Sequence, residues 1–100
     1  MDGRERIAEA LTTAVNEVRA GLDAGRTPPE EVSNAMMFYV LADHLLGAVS
    51  SADRPMSPSA LAGGLRQLRE RCRGSLKGLR THVERALEEA ENLDWDYRTA

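Results

Sequence analysis

The chain of 100 residues has few of the residues that build disulfide-linked or metal-held scaffolds. Cys72 is its single cysteine, which excludes an intrachain disulfide and any metal site made of several cysteines. Its two histidines, His44 and His82, have no histidine or glutamate four residues away, as a helical metal site requires. The sequence therefore predicts no metal site and no cofactor, and Cys72 is expected to be a small buried hydrophobe.

Aromatic residues number only four, so the core must consist of Leu, Val, Ala and Met, as is typical of helix packing. The net charge of −3 is too small to predict binding to nucleic acid or to an acidic membrane surface. The longest apolar run, 35–42, is shorter than the roughly 18–20 residues that span a bilayer, and no signal-peptide pattern is present. Because arginine greatly outnumbers lysine, with many Ala and Gly, we expect a bacterial, cytoplasmic protein.

Apolar residues at helical spacing predict an all-α fold without a β-sheet. The first helix, about 2–24, is followed by Gly25, which suits the left-handed residue after a helix end. Its apolar stripe consists of Ile7, Leu11, Val15, Val18 and Leu22. The second helix, about 28–50, is preceded by a start signal in which Thr27 is the N-cap, Pro28 the first helical residue and Glu30 the end of a capping box.

The second helix is apolar on two sides. One side is suited to a core and carries Ala35, Phe38, Ala42, Leu45, Leu46 and Val49. The other side carries Met36, Met37 and Val40 beside Ser33, Asp43, His44 and Gly47. A helix of this kind is central in its fold or has a second surface to bury.

A third helix, about 58–93, follows the N-cap signal Ser57-Pro58 and keeps one apolar stripe throughout. Gly74 lies off that stripe, so one continuous helix is predicted, with a break near Gly74 as the alternative. The fold class is then a three-helix bundle forming one domain, 1–100, with a short tail, 94–100. Because this helix would span roughly 50 Å and the other two about 35 Å each, its stripe needs a second chain.

Charge along the predicted third helix is divided into two blocks. Residues 66–80 are mostly basic and residues 84–96 mostly acidic, which is the reverse of what the helix dipole favours. Two copies packed antiparallel, crossing near Thr81, would place each basic half beside an acidic half, so we predict a homodimer. The alternatives are local pairs such as Arg80–Glu84 and Arg85–Glu89, or a nucleic-acid surface, which the acidic half disfavours. The predicted interface is Met36, Val40, Gly47, Arg69, Arg73, Leu76, Leu79, Val83, Glu88 and Glu91.

Tyr39, Asp43 and His44 form a candidate polar site on the second helix. Asp43-His44 followed by Gly47 also resembles the motif of histidine phosphotransfer domains, which are helical bundles of about this length. That motif has a lysine three and a glycine four residues after the histidine. Here the glycine has this spacing from Asp43 rather than from His44, and Leu46 replaces the lysine. The resemblance implies a phosphorylated His44.

The C-terminal tail carries Trp95 and Tyr97 between acidic residues, and either caps the bundle or docks into another protein. With no catalytic residue identified, the leading function is that of a small non-enzymatic regulator or accessory subunit. It would act through protein–protein contacts, with itself as a homodimer and with another protein. The alternatives are a small-molecule-binding or catalytic bundle around Tyr39, Asp43 and His44, and thirdly a phosphotransfer module.

Overall fold

The computed structural model describes residues 2–99, within which every regular element is helical. The helices are α1 (Gly3–Asp23), α2 (Val32–Ser50), α3 (Pro58–Glu70) and α4 (Arg80–Thr99), with 3₁₀ turns at Pro29–Glu31 and Gly74–Leu79. The all-α prediction is confirmed. The prediction of three helices is wrong, because the stretch read as one long third helix forms two helices, and the expected tail continues α4.

The four helices run alternately up and down, so that neighbours along the chain are antiparallel. α1 packs against α2 and α4, and α3 packs against α4 and, less extensively, against α2. Arg4 at the start of α1 donates a hydrogen bond to the carbonyl of Met56 in the loop after α2, at 3.0 Å. The described chain measures 47 × 23 × 20 Å. The helix of roughly 50 Å expected from the sequence does not exist, because its residues are divided between α3, with 13 residues, and α4, with 20.

The ends of α1 match the sequence prediction. Asp2 is the N-cap, and its side chain accepts a hydrogen bond from the backbone of Glu5. Gly25 has a φ of 69°, the left-handed conformation expected of it. The backbone N–H groups of Gly25 and Arg26 donate to the carbonyls of Leu22 and Gly21, which forms a Schellman motif. The predicted cap of α3 is also confirmed, since the Ser57 hydroxyl accepts from the backbone of Ala60.

The start of α2 differs from the prediction. Pro28 is extended, with φ −55° and ψ 141°, and Pro29 begins the 3₁₀ turn. The reason is steric, because a proline ring disfavours the helical conformation in the residue before it. Thr27 therefore does not cap the helix and Glu30 closes no capping box. Instead the carboxylate of Glu31 accepts a hydrogen bond of 2.7 Å from the backbone of Ser75, at the start of the second 3₁₀ turn.

The chain reverses between α3 and α4 at Arg71–Gly74. Arg73 is extended and Gly74 has a φ of 59°, so the helix cannot continue through them. A Cβ at Gly74 would overlap the carboxylate of Glu31. The apolar stripe keeps its phase because Leu68, Cys72, Leu76 and Leu79 all face the same core on both sides of the reversal. An unbroken stripe therefore did not imply an unbroken helix.

The core is formed by apolar side chains from all four helices, and among the described residues no polar or charged one is buried. Phe38 is its largest fully buried side chain. Gly64 of α3 leaves room for Leu45 of α2, since a Cβ at Gly64 would stand 2.7 Å from Leu45 Cδ2. The stretch Pro29–Ser50, with a mean hydropathy of 1.3, is long and apolar enough to cross a membrane, a test that the core helix of a bundle also passes.

Candidate functional site

α2 presents a second apolar surface on the side facing away from the core. At about 100° per residue, Met36 and Val40 project opposite to the buried Phe38 and Leu45. Met36 is 55% exposed, Met37 51% and Val40 64%. Among the described residues Trp95 is the single other exposed large hydrophobic side chain, so three of these four side chains lie on α2.

The exposed residues of this side follow a regular spacing. We call Ser33, Met36, Val40, Asp43 and Gly47 the outer stripe; all five are exposed. They recur at steps of three, four, three and four residues, which is the spacing with which a helix presents one seam to a partner helix. The outer stripe has large side chains in its centre and small residues at its ends.

An open groove runs along one side of the outer stripe, between α2 and α3. Its volume is about 820 Å³. We call it the α2–α3 groove, and it is lined by Met36, Met37, Val40, Leu41, His44, Gln67, Glu70, Arg71 and Arg73. The apolar floor comes from α2, and the polar rim comes largely from the end of α3.

The basic rim of the α2–α3 groove is held at the N-terminal end of α2. The Asn34 amide donates to the carbonyl of Arg71 at 3.0 Å, and the Arg71 guanidinium donates back to the Asn34 side-chain oxygen at 3.2 Å. Arg73 lies two residues further on, is exposed, and forms no ion pair within residues 2–99. Glu70 lines the same groove, so its charged rim consists of two arginines and one glutamate.

A smaller groove of about 380 Å³ lies on the other side, between α1 and α2. Its lining includes Tyr39 from α2 and Arg19 from α1, the latter paired with Asp23 at 3.7 Å. Met36 and Val40 line both grooves. They therefore form a ridge with a depression on either side, which is the relief that helices use to pack against one another.

The three polar residues proposed from the sequence do not form one site. His44 is exposed and lines the α2–α3 groove, whereas Tyr39 is half-buried and lines the groove on the opposite side of the ridge. Asp43 is exposed on the outer stripe between them. Their polar groups do not converge on an enclosed cavity, as a small-molecule site built from them would need.

The predicted interface residues of the former third helix fall into two groups. Leu76, Leu79 and Val83 are at most 5% exposed, because they pack in the core of their own chain. They are not available to a second copy, so their assignment to an interface is wrong. The charged residues, in contrast, lie on the surface where α3 and α4 face each other: Arg69, Glu88 and Glu91 line one shallow depression there.

The charge blocks of this region meet within one chain. Arg66 of α3 lies 4.0 Å from Glu91 of α4, across the antiparallel pair of helices. Of the two local pairs considered, Arg80–Glu84 is present at 2.7 Å, whereas Glu89 pairs with Arg6 of α1 at 3.4 Å. The reversal at Gly74 thus places the basic α3 antiparallel to the acidic α4 within one chain, where Arg66–Glu91 is the ion pair formed between these two helices in the described residues.

Trp95, one of the two C-terminal aromatic residues, does not cap the bundle. Trp95 lies on α4 and is 69% exposed. Asp94 beside it is half-buried and accepts a hydrogen bond from Arg98 at 3.3 Å. The side chain of Tyr97 lies outside what the structure describes, so the prediction for it stays a prediction.

Cys72 has the environment of an inert residue. It is 6% exposed, and its burial raises the pKa of the thiol from 9.0 to about 11, partly opposed by the positive charge of Arg80. The thiol is therefore protonated at neutral pH and is a poor nucleophile. Within residues 2–99 no three His, Cys, Asp or Glu side chains lie close enough together to hold a metal ion.

Comparison of the chain with protein-family models, with curated proteins and with solved structures finds no match. Its function must therefore be argued from the α2 surface itself.

Several residues of this surface escaped the sequence analysis. Met37 was recognised as facing away from the core but was not placed in the interface, although it lines the α2–α3 groove. Gln67 and Arg71 were missed because one long third helix gives no reason for their side chains to face α2. The turn signal at Gly74 was present in the sequence, and reading it as a reversal would have brought the end of α3 beside the start of α2.

Proposed function

We propose that this chain is a small non-enzymatic protein that acts through protein–protein contacts, and that the outward side of α2 is its docking surface. The observation that carries the proposal is the cluster of Met36, Met37 and Val40, each more than half exposed on one side of one helix. Clustered exposed apolar side chains on a small protein mark an interaction surface, since water contact with them is unfavourable. The sequence predicts a second copy of the chain as one such partner.

The chemistry of the cluster also favours a protein partner. Methionine is unbranched and polarizable, so a surface containing Met36 and Met37 adapts to an irregular apolar partner. The rim contributed by Arg71 and Arg73 supplies charges that can pair with acidic groups at the edge of such an interface. An apolar centre with a charged edge is the usual anatomy of a protein–protein contact.

A second candidate function, binding of a small molecule, is favoured by one observation. The α2–α3 groove, at about 820 Å³, has the size of a ligand site and combines an apolar floor with His44, Arg71 and Arg73. A small apolar carboxylate would match this lining. An NMR screen of such compounds should then detect binding that Arg73→Ala weakens, and no binding would reject this candidate.

The docking surface is tested by capture from a lysate with the tagged chain and two matched variants. Val40→Lys places a charge in the centre of the apolar cluster, whereas Thr12→Lys makes a similar change at an exposed position of α1. Proteins retained by the wild type and by Thr12→Lys, but lost with Val40→Lys, support the proposal. Equal retention by all three contradicts it. Thermal unfolding of the variants checks that each is folded.

A further inference from the structure

We draw no further inference here: the strongest candidate, the exposed apolar outer side of α2 at Met36, Met37 and Val40, belongs to the surface already described, and nothing in the structure shows what covers it.

Discussion

In the sequence, two regions of this molecule have features that suggest a partner. The structure satisfies one of them within the chain and leaves the other exposed. The α3–α4 surface has separated blocks of charge, and these meet across the antiparallel pair of helices, as Arg66 and Glu91 do. The outer side of α2 has exposed apolar residues, and the chain leaves Met36 and Val40 uncovered. The first surface finds opposite charge within the chain. The second stays exposed.

The two surfaces differ in whether the chain can supply the complementary groups by folding back on itself. Charge blocks and an apolar stripe are satisfied equally well by a second chain or by the same chain folding back. A helix with two apolar sides is harder to cover within one chain. In this bundle one side of α2 packs on the core and the other faces outward. Surplus apolar surface on a helix already in the core is therefore harder to satisfy within one chain than a block of charge.

The largest expected effect on the free energy of unfolding distinguishes the two sides of α2. Phe38→Ala should lower the free energy of unfolding by about 3–5 kcal/mol, because it empties a fully buried site. Val40→Ala, on the exposed side, should change it by less than about 0.5 kcal/mol. Urea unfolding at low protein concentration, where association contributes nothing, measures both. A large loss with Val40→Ala would mean that this side packs within the chain.

The next effect concerns the reversal between α3 and α4. Gly74→Ala should lower the free energy of unfolding by about 1–3 kcal/mol, because Gly74 is left-handed and a Cβ would meet the Glu31 carboxylate. Gly78→Ala is the matched control: nothing lies within 4 Å of a Cβ there, so the change should be neutral or stabilising. An equal change in the free energy of unfolding for the two variants would favour a continuous helix instead.

A somewhat smaller effect is expected from Cys72 at the same reversal. Because folding raises the pKa of its thiol, the unfolded chain loses the proton near pH 9 while the folded chain keeps it to about pH 11. Unfolding should therefore become easier as pH rises through this window, by at most about 2.7 kcal/mol. Cys72→Ala lacks a thiol and should show a flatter pH dependence. Identical pH profiles would contradict the burial of Cys72.

The smallest effect concerns the charges between α3 and α4. A double-mutant cycle of Arg66→Ala and Glu91→Ala should give a coupling below about 1 kcal/mol, because both side chains are about half exposed and 4.0 Å apart. The coupling should not depend on protein concentration, since the pair lies within one chain. A coupling that grows with concentration would place this pair between two copies and reverse the comparison.

Much of the local structure could be predicted from the sequence. α1 with its Schellman end at Gly25, the Ser57 cap of α3, the two-sided nature of α2 and the Arg80–Glu84 pair depend on residues close together in the chain. The start of α2 was predictable in principle, because Pro28 precedes another proline. The α2–α3 groove was not, since it requires Arg71 and Arg73 beside Met37, and that depends on where the chain reverses.

The sequence by itself determined that this protein is all-α, which residues form the apolar stripes of its helices, and that α2 has apolar surface beyond what one core needs. These follow from side-chain periodicity, which is a local property. The sequence left open whether the predicted third helix is continuous or breaks near Gly74, and the tertiary structure decided for the reversal, which buries Leu76, Leu79 and Val83 in the core of their own chain. The physical reason is that this choice depends on contacts between distant parts of the chain, such as the hydrogen bond from the backbone of Ser75 to Glu31, 44 positions away, which no local pattern records.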